Sequence, residues 1–228
     1  MRPRRAAIPL LFLVICAPSR AATISGTVAL VSGGKPLPDA SNVAVWLEGV
    51  PHGGSARAGA KTTRMQQSSK QFQPKLLIVE KSATVDFPNL DPIYHNVFSV
   101  SGGNRFDLGL YRSGSSKSQK FDETGLVRVY CNIHPQMVGF VMVVDSDFAA
   151  VTGRDGAFRF DNVPPGNYVL KAWNEQSGET SQPVVVHAGT DAPLSLSLDV
   201  TGFKPEPHKN KYGKDYPPNA GAETDERY

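Results

Sequence analysis

Beyond the first twenty-odd residues, apolar positions come in short runs that alternate with polar ones, the period-two pattern of strands with one buried face. Residues 24–31 and 42–47 flank a turn at Gly33-Gly34-Lys35-Pro36, and Val43, Val45 and Leu47 share one face of the second run. From 51 to 69 the chain is small and polar without a period, which predicts a linker or flexible loop. Alternation restarts near Phe72. Strands are predicted over 74–79, 83–87, 95–100, 126–131 and 138–144, with a loop over 102–118, where Gly, Ser and Asn recur. Val127, Val129 and Cys131 fall on one face, so the cysteine points where the valines point. Asp155-Gly156 and Pro165-Gly166 then separate further short runs at 157–160, 168–173, 184–186 and 194–198, because glycine supplies the positive φ of a tight turn. The expected class is all-β. Residues 201–228, polar and Pro-rich without a pattern, predict a disordered tail.

The N-terminus changes how the composition is read. Arg2, Arg4 and Arg5 precede an apolar run over 6–17 and a small-residue exit at Ser19-Arg20-Ala21, the layout of a secretory signal peptide covering 1–21. The run is short for a membrane span. The chain has 24 Lys+Arg against 21 Asp+Glu, but Arg2, Arg4, Arg5 and Arg20 leave with the signal, so the mature chain carries one more acidic than basic residue. Its apparent basicity is therefore an export feature and not a nucleic-acid footprint. Cys16 leaves too. Cys131 remains as the sole thiol of a chain expected in an oxidising compartment, where bound metal would protect it.

That cysteine opens Cys131-Asn132-Ile133-His134-Pro135-Gln136-Met137, which offers a thiolate, an imidazole and a thioether within seven residues. Each alone has a plain reading: a buried cysteine is a small hydrophobe, a lone histidine a satisfied surface group, a methionine core filler. Their spacing after a strand, with His95 opening an earlier strand, favours a metal site. Two imidazoles, one thiolate and a weak thioether are the blue-copper donor set, and without a carboxylate the set does not suit calcium or magnesium. His52, His187 and His208 are scattered; no His-x-His pair marks further copper centres and no His-Glu-x-x-His marks a zinc hydrolase. The lysines between 209 and 214 read as a solvated tail rather than a docking arm.

Phe72-Gln-Pro, Val85-Asp-Phe-Pro-Asn-Leu-Asp, His95-Asn-Val-Phe and Tyr130-Cys-Asn-Ile-His-Pro-Gln-Met137 together resemble the cupredoxins, the family of plastocyanin, azurin and amicyanin. The resemblance covers 66–146 and implies a Greek-key β-barrel or sandwich, one type 1 copper ion and one-electron transfer rather than enzymatic turnover. It implies His95, Cys131, His134 and Met137 as ligands and Asn96 as a neighbour that bonds toward the sulfur. It also implies a redox partner such as a c-type cytochrome or dehydrogenase, and a periplasmic or secreted location. The segment around Phe106-Asp-Leu-Gly-Leu-Tyr111 departs from the small electron carriers. The flanks, 22–65 and 147–200, are similar to carboxypeptidase-regulatory-like domains, a transthyretin-like sandwich, through Ile24-Ser-Gly-Thr-Val, Val45-Trp-Leu-Glu-Gly, Gly153-Arg-Asp-Gly-Ala-Phe and Pro164-Pro-Gly-Asn-Tyr. Because the copper unit lies between them, one sandwich interrupted by another is expected; insertion at a loop is cheap when the guest's ends lie close together. Two tandem domains are the simpler alternative. For function, the alternatives to electron transfer are copper trafficking and a non-redox structural module.

Overall fold

The computed structural model describes residues 21–51, 63–189, 192–205, 207–218 and 220; the expected signal peptide and the middle of the 51–69 loop lie outside them. Apart from one 3-10 turn at Gly102–Asn104, the regular structure among the described residues is β-strand, in keeping with the all-β expectation. No described helix is long and apolar enough to cross a membrane.

Two sheets are built from both flanks of the chain. The long strand Ala22–Ser32 lies between Ala157–Val163, which it pairs antiparallel, and Ala192–Asp199, which it pairs parallel. Facing it, Ala44–Glu48 lies between Ala149–Val151 and Gly166–Asn174, with Gly178–Val186 at the edge. Ile24, Val28, Val43, Val45, Leu47, Leu170 and Leu198 fill the space between the sheets, as their alternation requires. Leu47 N–H donates to Phe148 O at 3.0 Å, so the chain leaves and re-enters this sandwich at neighbouring points.

The segment between forms a second sandwich. Its five-stranded sheet runs Phe106–Tyr111, His95–Ser99, Gly125–Tyr130, Val138–Val144, Leu76–Glu80. Opposite lie Ser116–Lys120, Thr84–Pro88 and Thr63–Arg64, with the small hairpin Gln66–Ser68 and Gln71–Gln73. The linker expected over 51–69 thus contains two short strands, Thr63–Arg64 and Gln66–Ser68, with the fully buried Met65 between them. The loop expected over 102–118 contains two strands. Its alternation is interrupted where the register slips between Asp107 and Leu110, around Gly109 with φ +68°.

The two sandwiches pack back to back. Val141 and Val143 point into the second core, while Phe140, Met142 and Val144 of the same strand meet Ala44, Trp46, Ala149 and Trp173 of the first. Phe140 and Trp173 rings lie 5.1 Å apart, and Lys75 pairs with Glu175 across the same boundary. A strand buried on both faces explains why 138–144 reads as a continuous apolar run.

Candidate metal centre

The second core closes around Cys131. The residue directly follows the strand Gly125–Tyr130, and the chain returns into Val138–Val144 through a loop tied at its base by Cys131 N–H to Met137 O, 3.3 Å. Inside it, Met137 N–H donates to His134 O at 2.9 Å, a four-residue turn with Pro135 at the position that favours proline's fixed φ. His95 starts a neighbouring strand opposite Tyr111. His95, Cys131, His134 and Met137 are all within 1 % of complete burial, although three belong to a loop at the end of the barrel.

The structure brings three of these together as one donor set. Nδ1 of His95 and Nδ1 of His134 are 3.1 Å apart, and Cys131 Sγ lies 3.8 Å from the first and 3.7 Å from the second. A point in the plane of those atoms is about 2.1 Å from each, the bond length that nitrogen and sulfur donors need. Two imidazole nitrogens and a sulfur at that radius fit a borderline-soft transition metal. Met137 joins the same buried cluster as Cys131.

Further contacts set the protonation of these donors. His95 Nε2 lies 2.8 Å from Asp91 Oδ2; a carboxylate can only accept, so Nε2 carries the proton and Nδ1 presents its lone pair to the site. Asp91 also accepts Ser69 N–H at 2.6 Å and Lys70 N–H at 2.9 Å. Burial pushes its carboxyl up, but the bonds from Lys70, His95 and Ser69 outweigh that and hold it below the usual carboxylate range. Burial raises the Cys131 thiol, against main-chain N–H bonds from Asn96, Ile133 and His134. The Asn96 main chain, not its side chain, is the part beside the sulfur. Its side chain turns away, Nδ2 donating to Asp107 Oδ1 at 2.7 Å.

Asp91 was not singled out by the sequence, where Pro88-Asn-Leu-Asp-Pro92 reads as a turn; a carboxylate four positions before a candidate ligand was the available signal. The C-terminal segment was missed too. Where disorder was expected, Tyr216 OH donates to Cys131 O at 3.1 Å, His208 Nε2 to Pro135 O at 2.8 Å, and Lys211 N–H to Asn132 Oδ1 at 3.0 Å. Lys211 Nζ reaches Asp107 Oδ2 at 2.7 Å, and the His208 ring stacks on Tyr130 with centroids 4.0 Å apart. Asp107 is pushed up by burial but held below its ordinary range by bonds from Lys211, Asn96 and Gly109. His208, scattered in sequence, is a neighbour of the loop in space. His187 makes no such approach, and His52 lies outside the described residues.

The family model "Copper binding proteins, plastocyanin/azurin family" matches residues 59–144, and that of "Polysaccharide lyase family 4, domain II" matches 141–194. No curated protein matches the chain. Among solved structures, an oxidised single-site mutant of amicyanin is 22% identical, with a TM-score of 0.35, covering 39% of this chain and 87% of its own. A purple cupredoxin from Nitrosopumilus maritimus is 23% identical, with a TM-score of 0.33, covering 36% and 99%. A copper-containing nitrite reductase from Thermus scotoductus SA-01 is 24% identical, with a TM-score of 0.36, covering 42% of this chain and 25% of its own. Residues 59–144 thus match a copper-binding cupredoxin model, and the strand order and donor chemistry there agree with it, within a larger all-β chain. His95, Cys131 and His134 stand where copper ligands would.

Proposed function

We propose that the chain is an exported type 1 copper protein that passes single electrons, in which His95 Nδ1, His134 Nδ1 and Cys131 Sγ would hold the ion and Met137 would add a weak thioether. The observation that carries this reading is the triangle of donor atoms, whose centre lies at bonding distance from all three. Bound copper supplies the Cu(I)/Cu(II) couple. The protein's part is to keep the donors preassembled: Asp91 fixes the His95 tautomer, and the hydrogen-bonded loop holds Cys131 and His134 in place. A rigid dry site changes little between oxidation states.

In this reading 1–21 is a cleaved signal, the location is periplasmic or secreted, and the protein is a carrier rather than an enzyme. Its partner is a c-type cytochrome or dehydrogenase. The cupredoxin unit, 66–146, is a guest in a carboxypeptidase-regulatory-like sandwich made from 22–65 and 147–200. The neighbouring ends of Leu47 and Phe148 support an insertion over a tandem arrangement.

Copper reconstitution of the mature protein is expected to give an intense thiolate-to-copper absorption band that disappears in Cys131→Ser. A colourless copper complex of the unsubstituted protein overturns the type 1 assignment. One observation favours a second reading, copper trafficking without rapid electron exchange: His134 is buried although its loop ends the barrel. Stopped-flow reduction by a haem protein separates the two, since a carrier reacts rapidly in both directions.

A further inference from the structure

The contacts of the C-terminal segment converge on one surface. Of residues 207–218, only His208, Asn210, Lys211 and Tyr216 are shielded from solvent. Three of the four touch the ligand loop or the strand before it: His208 meets Pro135 and Tyr130, Lys211 meets Asn132, and Tyr216 meets Cys131. Asn210 instead shapes the segment from within. Its Oδ1 accepts Tyr212 N–H at 2.9 Å and Lys214 N–H at 3.1 Å, its N–H donates to Lys214 O at 2.8 Å, and Gly213 turns the chain at φ +73°. Lys209 and Asp215 pair across this turn, and the rings of His208 and Tyr216 meet at its base, 5.2 Å apart. The segment is therefore a closed loop, with the two aromatic residues at its base placed on the metal loop.

We propose that the face of the ligand loop is a docking surface whose occupant is this chain's own segment 207–218, a cover that must move before another molecule reaches Cys131 or His134. The inference rests on the copper reading of the site. The segment lays a second layer over the loop that carries Cys131 and His134, both of which are buried. The cover is also built to separate. Its attachment is by polar bonds and one ring stack, and a cavity of about 920 Å³ lies between it and Phe72, Pro135 and Val138. A segment held by few apolar contacts belongs to the low-stability end of a structure and opens locally. Lys211 is its latch: its ammonium pairs with Asp107, whose other oxygen accepts from Asn96, beside the site.

The test compares the full mature chain with one ending after Gly202, in metal-free and copper-loaded forms. Iodoacetamide alkylation of Cys131 in the metal-free proteins, followed by mass spectrometry, is expected to be at least about tenfold faster in the shortened chain. Copper extraction by a chelator is expected to accelerate likewise. Lys211→Glu, which keeps the chain complete and sets a carboxylate against Asp107, is expected to speed alkylation. Adding Asp107→Lys is expected to restore protection, which simple unfolding would not do. Equal alkylation rates in the full and shortened chains overturn the proposal, as does a failed rescue. A missing thiolate-to-copper band in all variants would defeat the copper reading alone, because protection of the metal-free thiol still reports the cover.

Discussion

The carboxylate of Asp91 receives three hydrogen bonds at once, from the main chain of Ser69 and Lys70 and from His95 Nε2. It joins the hairpin at 66–73, whose turn residues Ser69 and Lys70 have positive φ, to the histidine that opens a strand of the opposite sheet. The same bonds that hold its carboxyl ionised therefore fix which ring nitrogen of His95 faces the donor triangle. Asp91→Ala leaves His95, Cys131 and His134 in place but frees that ring. Copper affinity, measured by competition with a chelator of known strength, is expected to fall by about 10–100-fold, the usual cost of losing such a partner. An unchanged affinity would mean that packing alone orients His95. At this scale the cluster of His95, Cys131 and His134 was legible, because a cysteine and a histidine at that spacing after a strand, with a histidine opening an earlier one, have few joint explanations. Asp91 was not: an aspartate in a proline-flanked turn has a sufficient local reason to be there.

Among the elements, Val138–Val144 bears the closest constraints, since it faces a core on each side and is fed directly by the ligand loop. Gly139, paired with Val129, is placed where a Cβ would come within 2.9 Å of Phe72 Cβ and 3.1 Å of Met65 Sδ. The methionine can swing aside, but Phe72 Cβ is held by its own backbone. Gly139→Ala is accordingly expected to cost about 1–3 kcal/mol by overpacking, read as a lower urea midpoint with unchanged slope. The strands that alternation identified are those with one apolar face. Phe106–Tyr111 escaped because a glycine bulge breaks its period, and Ser116–Lys120 because it has no apolar residue to show one. The segment 207–218 escaped for a related reason. Its attachments are polar side chains on main-chain atoms and one ring stack, none of which produces a hydrophobic period.

At the level of the whole molecule, the question is whether the two sandwiches behave as two bodies or one. Between them lie Trp46, Trp173, Phe140, Met142, Leu76 and Ile78, all buried, an apolar seam rather than the polar contact typical of domains that move independently. Both tryptophans of the chain sit in that seam, so intrinsic fluorescence reports its opening, while a thiolate-to-copper band would report the far side of the second sandwich. If the seam couples the units, the two signals should lose their folded values in one coincident thermal transition. Phe140→Ala removes the ring that lies against Trp173 without touching the donor set. It is expected to cost about 3–5 kcal/mol and to separate the transitions, fluorescence changing at lower temperature than copper absorbance. Separate transitions in the unsubstituted protein would show instead that each sandwich is stable alone. Val45 and Leu47 of Ala44–Glu48 face one core while Ala44 and Trp46 face the seam, which argues for coupling: loosening the second sandwich strips apolar cover from a central strand of the first.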